Sequence, residues 1–320
     1  MEEIEVRLAG PYSLWRTLRP MQRGASDPTM QRTDAGVWRG MLTPAGPASM
    51  QLQEQAGDEG VTVVARTFGP GAQWAAGTVA DLVGACDDPQ RFRQRLQTAA
   101  AESRWSPEQH RTIQFVAAAY QQTAWRLPKS HGVWESVLAA VLEQKVTGKE
   151  SKGAWRSLAL EFGDVAPGPV PVGLRVPPTP EQIRLVPSWR WRNFAVDRPR
   201  SDAILQLAAR GASLGRLLEM TPVEARAALT SVRGVGAWTY AEVAQRALGD
   251  ADAVSVGDYH LAHWVVYSIT GRRHGTDEEM LHLLAPFAGD RYRAVRMIEM
   301  HGRPMPRRGP RMSIPRHRYG

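Results

Sequence analysis

Apolar and polar residues alternate with a period of two in several parts of the first hundred residues, as they do in strands that bury one face. Three runs are typical of such strands: Ile4 to Leu8, Val37 to Leu42 and Val61 to Ala65. Clusters of glycine and proline at 44–47 and 69–71 separate these runs. A short alanine-rich segment at 75–83 is typical of a helix. The pattern predicts a small antiparallel sheet with one or two helices.

From about Pro107 the apolar positions take the spacing of helices. The apolar residues between Val133 and Leu142 recur at i, i+1, i+4, i+5, i+8 and i+9, and this spacing forms one apolar stripe along a helix. A second helix is expected from Lys149 to Phe162. The proline-rich stretch from Val165 to Pro180 predicts an irregular connection. Helical patterns resume near Glu181 and continue to about Met300.

These patterns predict an α+β protein of two domains and a tail. We expect an antiparallel β/α domain over 1–100, a mainly α-helical domain over 101–303, and a basic tail rich in proline and arginine over 304–320. A chain of 320 residues with 43% apolar and 22% charged residues is long enough for such cores. It contains no run of 18 apolar residues and no recognisable export signal, so we expect no membrane span and a cytoplasmic location.

Cysteine and histidine restrict the metal chemistry that we expect. Cys86 is the only cysteine, which excludes a disulfide within the chain and a cluster held by several thiolates. A site built from histidines and carboxylates stays open. His260 and His263 have a helical spacing of three, but the sequence indicates no third ligand near them.

The formal net charge of +8 is concentrated at the C-terminal end. Residues 291–320 contain nine arginines and one acid, Glu299, so the rest of the chain is formally neutral. A basic end suits a nucleic-acid partner, because arginines neutralise phosphates. It equally suits a solvated tail that aids solubility, and charge alone leaves both interpretations open. The lysines form a second cluster: Lys129, Lys145, Lys149 and Lys152.

Two neighbouring segments contain the candidate chemistry. A predicted helix from Pro222 to Leu229 leads into a turn with Gly234 and Gly236, after which a second helix begins. Amides uncovered by glycines at a helix start can bind phosphate, although such a turn is more often only a turn. Asp258 follows, just before another apolar helix, and suits either a catalytic carboxylate or a helix cap.

Together these segments resemble the helix–hairpin–helix DNA glycosylases, and most closely the bacterial 3-methyladenine DNA glycosylase II group. The resemblance is based on the hairpin over 229–248, the segment 254–261 and the helix from Trp134 that ends at Gln144. The predicted N-terminal sheet also fits the β domain of that group. The resemblance implies a helical glycosylase core with an N-terminal antiparallel β domain, and the excision of damaged bases from double-stranded DNA.

By position, the resemblance implies that Asp258 is the catalytic carboxylate. A desolvated carboxylate can stabilise the oxocarbenium character that develops on the sugar and guide a water molecule. Trp238 occupies the position of the lysine of bifunctional relatives, which implies a monofunctional enzyme; core packing is the alternative. Tyr259 is expected in the substrate pocket. Glu242 and Glu299 replace aromatic pocket residues, so they either contact the base or lie on exposed helix faces.

The DNA-binding positions implied by the resemblance are Gln144, Lys145, Gly234, Gly236 and Thr239. Lys145 stands where the group has an apolar wedge that fills the space of the extruded base, so it either contacts DNA or is solvated. The backbone carbonyls of Thr230, Val232 and Val235 are implied ligands of a structural monovalent cation, Na or K. No organic cofactor is expected, and the protein is expected to act as a monomer associated with the nucleoid.

Two other functions remain open from the sequence. One is a non-catalytic DNA-binding protein that keeps the hairpin but has lost a productive pocket, as the replaced pocket positions suggest. The other is a glycosylase for deaminated or bulky alkylated bases rather than simple alkylated purines.

Overall fold

A five-stranded antiparallel sheet forms the N-terminal part of the computed structural model, which describes residues 1–57 and 60–303. The strands are arranged in the order β1-β5-β4-β3-β2. Their bounds are β1 Glu2–Ala9, β2 Met30–Thr33, β3 Gly36–Thr43, β4 Gly46–Gly57 and β5 Gly60–Phe68. The predicted sheet is therefore confirmed. Strand β4 was not indicated by the sequence, because it begins inside the glycine–proline cluster at 44–47 and continues through glutamines.

Several helices begin at recognisable capping residues. The helices that start at Pro107, Gly148, Pro180, Pro222 and Asp277 each follow a Ser or Thr cap, with Glu or Gln three residues after the cap. The helices are α1 Leu14–Leu18, α2 Ala72–Gly77, α3 Val79–Leu82, α4 Pro89–Ala101, α5 Pro107–Gln121, α6 Val133–Glu143, α7 Gly148–Phe162, α8 Pro180–Arg184, α9 Arg190–Asn193, α10 Arg198–Ala209, α11 Gly211–Leu214, α12 Pro222–Thr230, α13 Ala237–Val243, α14 Leu261–Thr270, α15 Asp277–Leu284 and α16 Arg291–His301.

The helical part is built around two separate hydrophobic cores. One core collects buried residues of α6 to α13, including Leu138, Leu158 and Ile204. The other combines α4 and α5 with α14 to α16, around Phe92 and Phe287. Helix α4 contributes Phe92, Leu96 and Ala99 to this second core.

The proline-rich stretch is irregular, as predicted, and lies against the sheet. Leu174 and Val176 pack with Trp38 of β3 in a small buried cluster. The approach is so close that a Cβ at Gly40 would lie 2.1 Å from the carbonyl oxygen of Arg175. Glycine at position 40 is therefore required for this contact. No helix within 1–57 and 60–303 is long and apolar enough to cross a membrane.

Part of the basic C-terminal end is internal. Arg291 pairs with Asp252, Arg296 pairs with Glu299, and the buried Arg293 pairs with Asp87 and Asp290; these are contacts of α16. Three of the nine arginines thus bind the protein's own carboxylates and do not belong to a free basic surface, contrary to the interpretation of 291–320 as one basic segment. The predicted tail, 304–320, lies outside the described residues.

We expect Arg293→Met to lower the free energy of unfolding by about 3–5 kcal/mol, because it leaves the buried carboxylate of Asp87 without the cation that pairs with it. Asp290 keeps Arg91 and Arg95 as partners. Urea denaturation of the full chain measures this loss. The matched control is Arg91→Gln: Arg91 also pairs with Asp290, but its side chain is 58% exposed. Its removal should cost less than about 1 kcal/mol. Equal losses in both variants would contradict this assignment.

Candidate functional site

Gly234 and Gly236 have different structural roles in the hairpin. Gly234 has a φ of +88°, which a residue with a side chain rarely adopts. Gly236 caps α13 with no side-chain bond, and a Cβ there would meet nothing within 4 Å. The turn from α12 into α13 therefore leaves the first amides of α13 uncovered next to open space. Such an arrangement suits an anion.

Gln144 connects the end of α6 to this hairpin. Its Nε2 donates to the Gly234 carbonyl oxygen at 2.9 Å and to Thr239 Oγ1 at 2.9 Å. Thr239 is 2% exposed. Its hydroxyl joins the hairpin to the corner after α6.

Lys145 lies at that corner and is exposed, with a φ of +54°. A left-handed conformation at a residue with a long side chain indicates a backbone that its surroundings hold in place. Arg200 supplies part of that hold: its guanidinium donates to the carbonyl oxygens of Leu142 at 3.0 Å and Ala195 at 2.8 Å. Arg200 is 4% exposed. No pattern in the sequence distinguished it from the other arginines.

The carboxylate of Asp258 is held by three N–H donors. Its Oδ1 accepts the backbone N–H groups of His260 and Leu261, both at 2.8 Å, as an N-terminal cap of α14 does. Its Oδ2 accepts the indole N–H of Trp238 at 3.1 Å. The two interpretations of Asp258 are therefore compatible, because one oxygen caps a helix while the other faces the hairpin helix. The side chain is half-buried.

Tyr259 does not join this group. Its side chain is 82% exposed and its ring stacks edge-on against His260, with 4.8 Å between the ring centroids. Adjacent positions in a turn before a helix diverge, which explains why Asp258 faces the protein while its neighbour faces solvent.

Glu242 lies one helical turn beyond Trp238 and is fully engaged. One carboxylate oxygen accepts from Arg246 at 2.7 Å and the other from Ser255 Oγ at 2.6 Å. Burial lowers the pKa of Arg246, but the carboxylates of Glu242 and Glu143 outweigh burial and raise that pKa above its ordinary value. Glu242 is therefore a member of a buried network rather than an exposed helix residue.

Glu299 on α16 has a similar partner. It forms an ion pair with Arg296, and burial raises the pKa of the nearby Tyr292 hydroxyl. Both glutamates that replace aromatic residues therefore have an arginine beside them. Neither offers an uncompensated negative charge to a cationic base.

The predicted cation ligands lie in the turn between α12 and α13. The Val232 carbonyl oxygen accepts the Val235 N–H at 3.0 Å, which leaves one of its two lone pairs for a further partner. Carbonyl oxygens are suitable ligands of hard cations, so the donor set fits the expected ion. Among residues 1–57 and 60–303, no group of three or more His, Cys, Asp or Glu side chains could hold a metal ion. His263 instead accepts the Gly275 N–H at 3.1 Å.

No protein-family model and no curated protein sequence matches the chain. Its backbone is nevertheless similar to solved DNA glycosylases. The 3-methyladenine DNA glycosylase of Archaeoglobus fulgidus has a TM-score of 0.72 at 16% identity, over 93% of this chain and 99% of that one.

The 8-oxoguanine glycosylase/lyase of Clostridium acetobutylicum has a TM-score of 0.65 at 12% identity in its apo form, over 94% of this chain and 97% of that one. Its complex with double-stranded DNA containing cytosine opposite 8-oxoG has a TM-score of 0.61 at 11% identity, over 93% and 97%. The chain has the fold of the helix–hairpin–helix DNA glycosylases, as the sequence predicted. Because the two enzymes act on different bases, the fold does not select a lesion.

We expect Gln144→Glu to loosen the hairpin. A carboxylate cannot donate to the Gly234 carbonyl oxygen, so that bond is lost and the two oxygens repel each other, whereas the Thr239 hydroxyl can still donate to the carboxylate. Loss of the partly exposed bond to Gly234 should cost about 1 kcal/mol and speed amide hydrogen exchange across 232–239. Gln122→Glu, at the exposed end of α5, is the matched control and should change neither quantity. Unchanged exchange in the hairpin would contradict the linking role.

Proposed function

We propose that the protein is a monofunctional DNA glycosylase that hydrolyses the N-glycosidic bond of damaged bases in double-stranded DNA, with Asp258 as its catalytic residue. One observation carries the proposal: the indole of Trp238, on the hairpin helix, donates to the carboxylate of Asp258. The phosphate-binding turn and the carboxylate thus occupy neighbouring positions on one rigid framework. A damaged nucleotide anchored by its phosphate would bring its sugar towards Asp258.

The proposed reaction needs one carboxylate and one water molecule. As the bond between C1′ and the base breaks, its electron pair leaves with the base and positive charge develops on the sugar. The carboxylate of Asp258 stabilises that charge and orients the water whose oxygen bonds to C1′. The water loses a proton to Asp258 or to solvent, and an abasic site remains. The three N–H donors on Asp258 keep the carboxylate in one orientation through this sequence.

Trp238 supports the monofunctional assignment. The nitrogen of an indole donates a hydrogen bond but has no free lone pair, so it cannot form a Schiff base with C1′. In the proposed mechanism Trp238 is a positioning residue for Asp258.

DNA binding would combine three features of the described chain. The uncovered amides at Gly236 would donate to a backbone phosphate, and a monovalent cation held by the carbonyls of Thr230, Val232 and Val235 would add positive charge there. The corner at Gln144 and Lys145 enters the duplex where the base is extruded. We expect the protein to act as a monomer and to be located in the cytoplasm with the nucleoid.

We propose an alkylated purine as the substrate. Such a base is already cationic and leaves without strong acid assistance, so a single carboxylate is sufficient. The pairing of Glu242 and Glu299 with arginines motivates the alternative, a deaminated or bulky alkylated base. A panel of duplexes with single lesions, followed by alkaline cleavage, identifies the substrate.

We expect Asp258→Asn to reduce the single-turnover excision rate by at least about 10²-fold, because the charge that stabilises the sugar cation is removed. The Asn carbonyl oxygen can still accept from His260 and Leu261, so α14 keeps its cap. DNA affinity should change little. Asp34→Asn, on the exposed turn before β3, is the matched control and should excise normally. Near-normal excision by the Asp258 variant would remove the mechanism. DNA binding without excision of any lesion by the unaltered protein would favour the non-catalytic alternative.

We expect borohydride to trap no covalent complex between the protein and a damaged duplex, since Trp238 cannot form a Schiff base. Strand breaks should appear only after alkali. A glycosylase/lyase treated in parallel is the positive control. A trapped adduct that maps to 229–248 would contradict the monofunctional assignment.

A further inference from the structure

A row of exposed cations follows the corner residue Lys145. Lys149, Lys152 and Arg156 on α7, here called the basic track, are all exposed. None of the three forms an ion pair with a residue in the described ranges. The two acids of α7 are engaged elsewhere: Glu150 accepts the Thr147 N–H in a capping box, and Glu161 pairs with Arg190. The three cations of the basic track therefore face solvent along one side of the helix.

The basic track forms one wall of a groove of about 440 Å³, and the loop from Arg23 to Ser26 forms the other. Buried hydrogen bonds join the two walls of the groove. The carboxylate of Asp27 accepts the Arg23 N–H at 2.6 Å and the Trp155 indole N–H at 2.9 Å, which joins the loop to α7. Arg23 itself is buried and pairs with Glu143 of α6. The groove therefore has a fixed shape before any partner binds.

The spacing of the cations suits a nucleic-acid backbone. Lys149 and Arg156 are seven residues apart on one helix, which corresponds to about 10 Å. One DNA strand presents a phosphate about every 3.4 Å along the duplex axis. The basic track can thus run beside about three phosphates of one strand. Small residues in the groove, including Gly148 and Gly153, let a backbone approach closely.

The position of the groove indicates which strand it serves. Helix α6 contacts both α13 and α7. Gln144, at the end of α6, bonds to the hairpin, and α7 with the basic track begins at Gly148, shortly after Lys145. The hairpin and the basic track therefore both adjoin the corner at Gln144 and Lys145. When a corner enters a base stack, the backbones on its two sides belong to opposite strands.

We infer that the groove between Arg23–Ser26 and α7 binds backbone phosphates of the DNA strand complementary to the one that the hairpin holds. This inference rests on the proposed function, since it assumes that the hairpin binds DNA. It assigns duplex selectivity to the basic track, because a single strand held by the hairpin has no complementary backbone to place in the groove.

The test uses the triple variant Lys149→Gln, Lys152→Gln, Arg156→Gln in the full chain. The matched control is Arg7→Gln, Arg93→Gln, Arg210→Gln, which removes the same charge from exposed positions elsewhere. Affinity for an undamaged 20-base-pair duplex and for one of its single strands is measured from 50 to 200 mM salt. On the duplex, the slope of log affinity against log salt should fall by about 2 to 3, because each lost phosphate contact removes about 0.9. On the single strand both triple variants should behave alike.

Three results would overturn the inference. One is an unchanged duplex slope, and another is an equal loss on the single strand, which would place the groove on the strand of the hairpin. The third is an affinity for polyglutamate that exceeds the affinity for duplex DNA and depends on the basic track, which would indicate an acidic protein partner. The test measures DNA binding and not base excision, so its result can be interpreted even if the protein lacks the proposed glycosylase activity.

Discussion

A largely buried ion pair, Arg246 with Glu242, connects three parts of the described structure. Arg246 extends to the N-terminal domain, where its Nε donates to the Pro20 carbonyl oxygen at 3.0 Å. Glu242 extends the other way and accepts from Ser255, in the loop that leads to Asp258. A buried charge must keep its partner, because separation leaves an uncompensated ion in a poorly solvated place. The pair therefore links the N-terminal segment at Pro20, the hairpin helix α13 and the loop that leads to Asp258.

Residues on successive turns of α13 and of the π-helical turn that follows it contact the segment 253–258. Trp238 reaches the carboxylate of Asp258, Glu242 reaches Ser255 one turn further, and Gln245 donates to the Ala253 carbonyl oxygen at 2.8 Å. The helix then widens into a π-helical turn, Ala244–Leu248, and ends at the left-handed Gly249. The loop that carries Asp258 is thus attached at several points to the helix whose start faces the hairpin turn. Movement of the hairpin and of the carboxylate must be coupled.

The parts of the fold that depend on local rules were predictable from the sequence. Period-two strands, the stripe of α6 and the glycines of the hairpin follow from backbone sterics and burial of one face. The burial of Thr239, the exposure of Tyr259 and the role of Arg200 were not predictable, because each depends on a partner distant in sequence. Gln144, 95 residues from Thr239, is an example. A pattern of single residues contains no record of such contacts.

The distribution of charge on the surface also depends on contacts between residues distant in sequence, and it bears on function. The net charge of +8 suggested a neutral body with a basic end, yet three arginines of α16 form ion pairs with carboxylates of the protein itself. What a polyanion encounters is the set of cations without partners, and these include the exposed residues of α7. The carboxylate of Asp258 is held by the indole N–H of Trp238 and by the backbone N–H groups of His260 and Leu261, so its orientation depends on both the hairpin helix and the start of α14.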